Sequence, residues 1–193
     1  MKLIYKGKFD GNQEHLPHKE HKPGAVKFRE MEDPKKFAAY INVVAFIITV
    51  FLAALFFLRS QSPRFSILGM LCSLLVLFPH EILHAVCFKK EVYLYTNWKN
   101  GMLFVVGPED MSKGRFIFMS LFPNLIFGLI PYILYLIFPE YIFLGSLGML
   151  AVGEGAGDYY NVFNALTQMP KGARTYLYGF HSYWYMPEGE TTM

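Results

Sequence analysis

The chain has 193 residues, of which 53% are hydrophobic and only 17% are charged. A soluble domain carries about 25% charged residues, so this shortfall favours a membrane protein. The net charge of +3 is too small to indicate a nucleic-acid-binding protein, and the two cysteines, Cys72 and Cys87, give no disulfide framework.

Residues 1–36 form a polar N-terminal arm, which we expect to be cytoplasmic, solvated and partly disordered. The arm contains His15, His18 and His21, and a histidine-rich tract can bind metal. Two prolines in the same stretch oppose a regular helix, which favours the solvated arm over a metal site.

Long apolar runs follow the arm and predict an all-α polytopic membrane protein with about four transmembrane helices. About 20 apolar residues are needed for a helix to cross the hydrocarbon core. Lysine and arginine are concentrated in the arm, the second loop and the tail, which places both termini in the cytoplasm. The predicted spans are residues 37–58, 65–88, 116–138 and 141–166, which form a membrane core over 37–166, and residues 167–193 form a cytoplasmic tail.

The second loop, residues 89–115, contains two stretches that are rich in β-branched and aromatic residues. Residues 92–96 and 102–106 flank Asn100-Gly101, a pair typical of a tight hairpin turn. We therefore expect a small β-hairpin at the membrane surface. It serves either as a connector or as an edge strand that holds an extended peptide.

The second apolar run ends with the motif H-E-x-x-H, formed by His80, Glu81 and His84. Residues four apart share one face of a helix, so both imidazoles can bind one metal ion. Glu81 stands beside that metal, where its carboxylate could take a proton from a zinc-bound water. Charged groups within a membrane span are costly, which strengthens the metal-site interpretation over a chance match.

A catalytic zinc usually has three protein ligands, and the fourth predicted span offers two candidates for the third. Asp158 is our choice, and Glu154, one helical turn away, is the competing ligand. A hydrogen bond between packed helices is the alternative role for Asp158.

Asn124 in the third predicted span could donate a hydrogen bond to the oxyanion or to the substrate backbone, or could only bridge helices. With the predicted topology, His80, Asp158 and Asn124 all lie about 12 Å from the cytoplasmic boundary. Because hydrocarbon cannot satisfy polar groups, we expect these three side chains to meet each other or a metal.

The motif around His80 and the later sequence Gly157-Asp158-Tyr159-Tyr160-Asn161 resemble those of the DUF3267 zincin peptidases. These are small bacterial membrane proteins related to site-2 intramembrane metalloproteases. The resemblance covers roughly residues 65–185. It implies Zn²⁺ as the cofactor, His80, His84 and Asp158 as its ligands, and Glu81 as the base.

Together these observations predict a zinc-dependent intramembrane metallopeptidase in a bacterial-type cell membrane. Its partners would be membrane lipid and a protein or peptide substrate that lies in or near the membrane. Glu81 and Asn124 are the predicted catalytic residues. The alternative is a catalytically silent zinc-binding membrane protein, such as a pseudoprotease or client-binding protein. A transporter that uses the same ionisable groups is a third possibility, but the sequence has no visible inverted repeat.

Overall fold

A computed structural model describes residues 1–60, 64–98 and 102–187 of the chain. It divides the chain into two compact units, a strand-rich one and a helical one. The strand-rich unit comprises Met1–Glu30, Glu81–Met119 and Asn161–Met193, and the helical unit comprises Met31–His80 and Ser120–Tyr160.

The described residues form seven β-strands and six α-helices, with a π-helix between the third and fourth helices. The strands are β1 (Lys2–Lys8), β2 (Val26–Lys27), β3 (Glu91–Asn97), β4 (Met102–Val106), β5 (Met111–Ser112), β6 (Arg174–Tyr178) and β7 (His181–Tyr185). The helices are α1 (Pro34–Arg59), α2 (Ile67–Val86), α3 (Lys113–Pro123), the π-helix (Asn124–Leu129), α4 (Ile130–Ile137), α5 (Ile142–Glu154) and α6 (Ala156–Gln168).

The first sheet of the strand-rich unit has the order β1-β3-β4. Strands β3 and β4 are antiparallel, with Leu94 opposite Val105, so the predicted hairpin is confirmed. The expected turn residues, Asn100 and Gly101, lie outside the described residues. Strand β1 adds in parallel on the other side of β3, which leaves β4 as an edge strand.

The second sheet has the order β2-β7-β6-β5, so the N-terminal arm and the tail pair with each other. Only Gly179 and Phe180 connect β6 to β7, and Gly179 has a φ of 60° that favours glycine. The main core of this unit is formed by buried apolar side chains from the arm, the end of α2, the second loop, α3, α6 and the tail. They are Phe28, Ala85, Phe88, Val92, Met111, Phe116, Met119, Ala165, Met169 and Ala173.

The N-terminal arm differs from the expected solvated and partly disordered segment, and that prediction is wrong for its structure. Strand β1 pairs with β3, and the side chains of Phe9, Leu16 and Phe28 are buried. The His21 ring stacks on Tyr178 with the ring centroids 4.5 Å apart. A few buried apolar side chains therefore fix the N-terminal arm in place, although its average composition is polar and predicted a solvated segment.

In the helical unit, small residues of α5 allow its neighbours to approach closely. A Cβ atom at Gly148 would lie 2.6 Å from the Tyr132 nitrogen, and one at Gly145 would lie 2.5 Å from the Tyr135 ring. The Tyr135 hydroxyl donates a 2.8 Å hydrogen bond to the Phe56 carbonyl, which ties α4 to α1. Helix α1 itself begins at Pro34, and the carboxylate of the preceding Asp33 caps it by accepting hydrogen bonds from two backbone N–H groups of the first turn.

The fold-class prediction of an all-α protein with about four transmembrane helices is wrong. The described residues contain two β-sheets. Within them, three helices are long and apolar enough to cross a membrane: Pro34–Arg59, Ile67–Val86 and Lys113–Ile137.

The fourth predicted span, residues 141–166, divides at Gly155 into α5 and α6, of 13 residues each. A helix of that length extends about 20 Å, less than the roughly 30 Å hydrocarbon core. The sequence is mostly apolar over residues 141–166, which predicts one helix, but the helical hydrogen bonding is interrupted at Gly155.

The packing around α5 predicts that Gly148→Ala destabilises the protein by about 1–3 kcal/mol, because the added methyl group meets backbone atoms that cannot move aside. Gly114→Ala is the control, since nothing lies within 4 Å of a Cβ atom at Gly114. Thermal unfolding in detergent should show a lower midpoint for Gly148→Ala alone. Equal midpoints for both variants would contradict the close packing.

Candidate metal centre

The H-E-x-x-H motif lies in the last two turns of α2, which begins at Ile67 and ends at Val86. His80, Glu81 and His84 place their candidate ligand atoms within 4.8 Å of one another. Among the described residues, these three form the group whose spacing could hold a metal ion, and Asp158 is not part of it. The helical arrangement expected from the motif is therefore present.

The imidazole of His84 is buried and held by a backbone carbonyl. Its Nδ1 lies 2.9 Å from the Met119 oxygen, and the residue is 7% exposed. A carbonyl can only accept a hydrogen bond, so Nδ1 carries the proton, and in the neutral imidazole Nε2 is the nitrogen that can bind a metal. This hydrogen bond to the far nitrogen is the arrangement that orients metal-binding histidines.

The imidazole of His80 contacts the carboxylate of Asp158. His80 Nε2 lies 3.1 Å from Asp158 Oδ2, and the two side chains are 14% and 15% exposed. Two ligands of a tetrahedral zinc, each about 2.0–2.1 Å from the ion, are separated by about 3.3 Å. The observed separation is that of a hydrogen bond between the two side chains, and it also suits a pair of ligands for one zinc ion.

The position of Asp158 depends on the break between α5 and α6. Helix α6 begins at Ala156, which places Asp158 in its first turn. The positive end of the helix dipole favours a carboxylate there. Glu154, the competing candidate, is the last residue of α5 and is exposed, and its side chain interacts with Ser73 and with His80.

Asn124 meets Asp158, as expected from their predicted depth in the membrane. Its Nδ2 donates to Asp158 Oδ2 at 2.7 Å and to the Ser120 carbonyl at 3.1 Å. An amide NH₂ group has two hydrogens, so both are engaged. An oxyanion would have to displace one of these two acceptors to be stabilised by Asn124.

The carboxylate of Glu81 is held by the edge strand of the first sheet. The Val105 N–H of β4 donates to Glu81 Oε2 at 3.1 Å. Val105 is opposite Leu94, and its N–H points away from β3 toward Glu81. An ionised carboxylate has about four lone-pair sites on its two oxygens, so it can accept a proton as well as a hydrogen bond.

A polar network fixes the end of the histidine helix within the strand-rich unit. Arg115 donates from Nε and Nη2 to the Cys87 carbonyl at 3.0 and 2.6 Å, and from Nη1 to Glu109 at 2.6 Å. Burial alone would raise the pKa of Glu109, but Arg115 and the N–H groups of Lys89 and Lys90 hold that pKa below its usual value. Glu109 is therefore a stable anion that anchors the chain just after α2.

Sequence reasoning predicted the motif residues, Asp158 and Asn124 as site residues, but it did not predict the main-chain groups that contact His84 and Glu81. The Met119 carbonyl and the Val105 N–H are main-chain groups. Every residue except proline has both groups, so the residue types at these positions do not indicate such contacts. The run of glycines from Gly153 to Gly157 did carry a signal, because a glycine-rich stretch often interrupts a helix.

A comparison with protein-family models matches residues 73–174 to DUF3267, described as "Putative zincin peptidase". The matched segment is more than half of the 193-residue chain and contains the H-E-x-x-H motif, Asn124 and Asp158. Searches of curated proteins and of solved structures return no match. The resemblance predicted from the motifs is thus confirmed, and the chain belongs to the DUF3267 family.

Proposed function

We propose that this protein is a zinc-dependent membrane metallopeptidase that hydrolyses a peptide bond in or near the bilayer. The observation that carries the proposal is the contact of Asp158 with His80 of an H-E-x-x-H motif on a helix of membrane length. Family membership supports the class of reaction, because the family's description is "Putative zincin peptidase".

The proposed zinc ligands are His80, His84 and Asp158. Two imidazoles and a carboxylate are a common ligand set for catalytic zinc, and three protein ligands leave a position for water. When bound, zinc would lower the pKa of that water and polarise the substrate carbonyl. The low exposure of the His80 and Asp158 side chains, 14% and 15%, limits competition from bulk water.

The proposed base is Glu81. Its carboxylate takes a proton from the attacking water, whose oxygen adds to the peptide carbonyl carbon. As the C–N bond breaks, Glu81 returns the proton to the departing amine nitrogen. The Val105 N–H fixes one carboxylate oxygen and so orients Glu81 for both transfers.

A peptide substrate suits the edge strand beside Glu81. Among the described strands, β4 has only β3 as a neighbour in its sheet, and apart from the Val105 N–H that binds Glu81, an extended chain can pair with its other edge. Such pairing would place the peptide backbone next to Glu81, which already contacts Val105 of this strand. This arrangement favours substrate binding over a purely connecting role for the hairpin.

A membrane location is supported by the exposed apolar side chains of the long helices. In α1, Phe46 is 69% exposed and Leu58 is 84% exposed, and in α2 Leu75 is 73% exposed. Lipid is the environment that accommodates such surfaces. A substrate that shares the bilayer would reach the site without leaving the membrane.

The ligand assignment predicts about one zinc ion per chain in detergent-purified wild-type protein. His80→Ala, His84→Ala and Asp158→Ala should each weaken zinc binding beyond the ~10–100-fold typical of losing a group that only supports a ligand. Glu154→Gln is the matched control and should retain zinc. Competition with a chelator measures all five proteins, and zinc retained by Asp158→Ala but lost by Glu154→Gln would reverse the choice of third ligand.

The proposed base predicts that Glu81→Gln abolishes hydrolysis while zinc remains bound. Glutamine keeps the shape of the side chain but cannot accept the proton, and loss of a general base costs about 10²–10⁴ in rate. New peptide N-termini in membrane fractions, measured by mass spectrometry, should appear with the wild type and not with Glu81→Gln. Identical N-termini in both samples would favour the catalytically silent alternative.

A further inference from the structure

The side chain of Asn124 is enclosed on several sides within the helical unit. It is 4% exposed, and its Nδ2 donates to Asp158 Oδ2 at 2.7 Å and to the Ser120 carbonyl at 3.1 Å. The Tyr159 hydroxyl reaches its Oδ1 at 3.5 Å. The amide therefore has a defined orientation, with its donor side toward Asp158.

Gly155 provides the space in which this amide lies. A Cβ atom at Gly155 would overlap the side-chain amide of Asn124. The φ of Gly155 is −73°, an ordinary value for any residue, so the glycine is required by the close approach and not by backbone strain. The amide of Asn124 thus lies in the space left at the break between α5 and α6.

The backbone at Asn124 is also unusual. Asn124 is the first residue of the π-helix, which follows Pro123 and ends at Leu129. Such π-helical turns are rare and occur frequently at functional sites, because they redirect side chains relative to a regular helix. Here the turn begins at the residue that contacts Asp158.

We propose that Asn124 is a positioning residue that holds the Asp158 carboxylate in its ligand orientation, and that Gly155 is glycine to admit it. The inference rests on the proposed function, since it concerns the third zinc ligand. It replaces the expected role of Asn124 as an oxyanion donor, because both N–H hydrogens are already used by Ser120 and Asp158.

The physical basis is preorganisation of a charged ligand in an apolar environment. A buried carboxylate among membrane-length helices needs hydrogen-bond partners, and Asn124 supplies one without adding charge. The same bond restricts the rotamers of Asp158 before zinc arrives. Loss of a hydrogen-bonding group that supports a metal ligand typically lowers metal affinity about 10–100-fold.

The first test measures zinc affinity by chelator competition for Asn124→Ala in the purified full-length protein. The affinity should fall about 10–100-fold. In an Asp158→Ala background, Asn124→Ala should produce no further loss, because its effect passes through Asp158. Asn42→Ala, an asparagine substitution in α1, is the control for removing an amide from a membrane-length helix.

The second test uses the shared space of Asn124 and Gly155. Gly155→Ala alone should lower zinc affinity, because the new methyl group displaces the amide. Asn124→Ala removes that obstacle, so Asn124→Ala with Gly155→Ala should bind zinc as well as Asn124→Ala alone. Thermal unfolding of the zinc-free variants separates a loss of folding from a loss of ligand orientation.

The outcomes distinguish this inference from the proposed function. A wild type that binds no zinc would overturn the proposed function itself. If the wild type and Asn124→Ala bind zinc with equal affinity, only the positioning role is overturned. An equal loss from Asn124→Ala with and without Asp158 would also overturn it, since the effect would then not pass through Asp158.

Discussion

A charged carboxylate among apolar helices has to be paired, and the pairing of Asp158 is the constraint on which the candidate site depends. Its Oδ2 lies 3.1 Å from His80 Nε2 and 2.7 Å from Asn124 Nδ2. In hydrocarbon, such a group without partners costs several kcal/mol, so its partners must be supplied by neighbouring helices. Histidine and asparagine here come from two different helical segments and meet on one oxygen.

In the helical unit, regular helix is interrupted at the point where the Asn124 and Asp158 side chains approach each other closely. Small residues let α5 pack against α4, and Gly155 ends α5 where the Asn124 amide needs room. The following helix then starts with Asp158 in its first turn. A continuous helix over residues 141–166 would not place a carboxylate at a helix N-terminus beside Asn124.

The parts of the site that depend on residue type could be predicted from the sequence. Spacing alone places His80 and His84 on one face of a helix, and predicted depth brought Asp158 and Asn124 to the same level. The β3–β4 hairpin was also evident from its β-branched and aromatic residues. In each case a physical rule links the residue pattern directly to the structure.

The parts that depend on backbone geometry could not be predicted in this way. Apolar composition continues through Gly155, so hydropathy predicted one span where two short helices occur. The arm is polar on average, but β1 pairs with a strand about 90 residues away, a contact that local composition does not encode. The hydrogen bonds from Val105 to Glu81 and from His84 to Met119 involve main-chain groups that every residue possesses.

The most direct measurement is X-ray absorption at the zinc edge of the purified, zinc-loaded protein, with Asp158→Ala beside it. We expect two imidazole nitrogens and two oxygens at about 2.0–2.1 Å in the wild type, with one oxygen from Asp158 and one from water. The spectrum of Asp158→Ala should change, because it loses a carboxylate ligand. A wild-type spectrum that is unaltered by Asp158→Ala, or a zinc ion with sulfur ligands, would contradict the proposed centre.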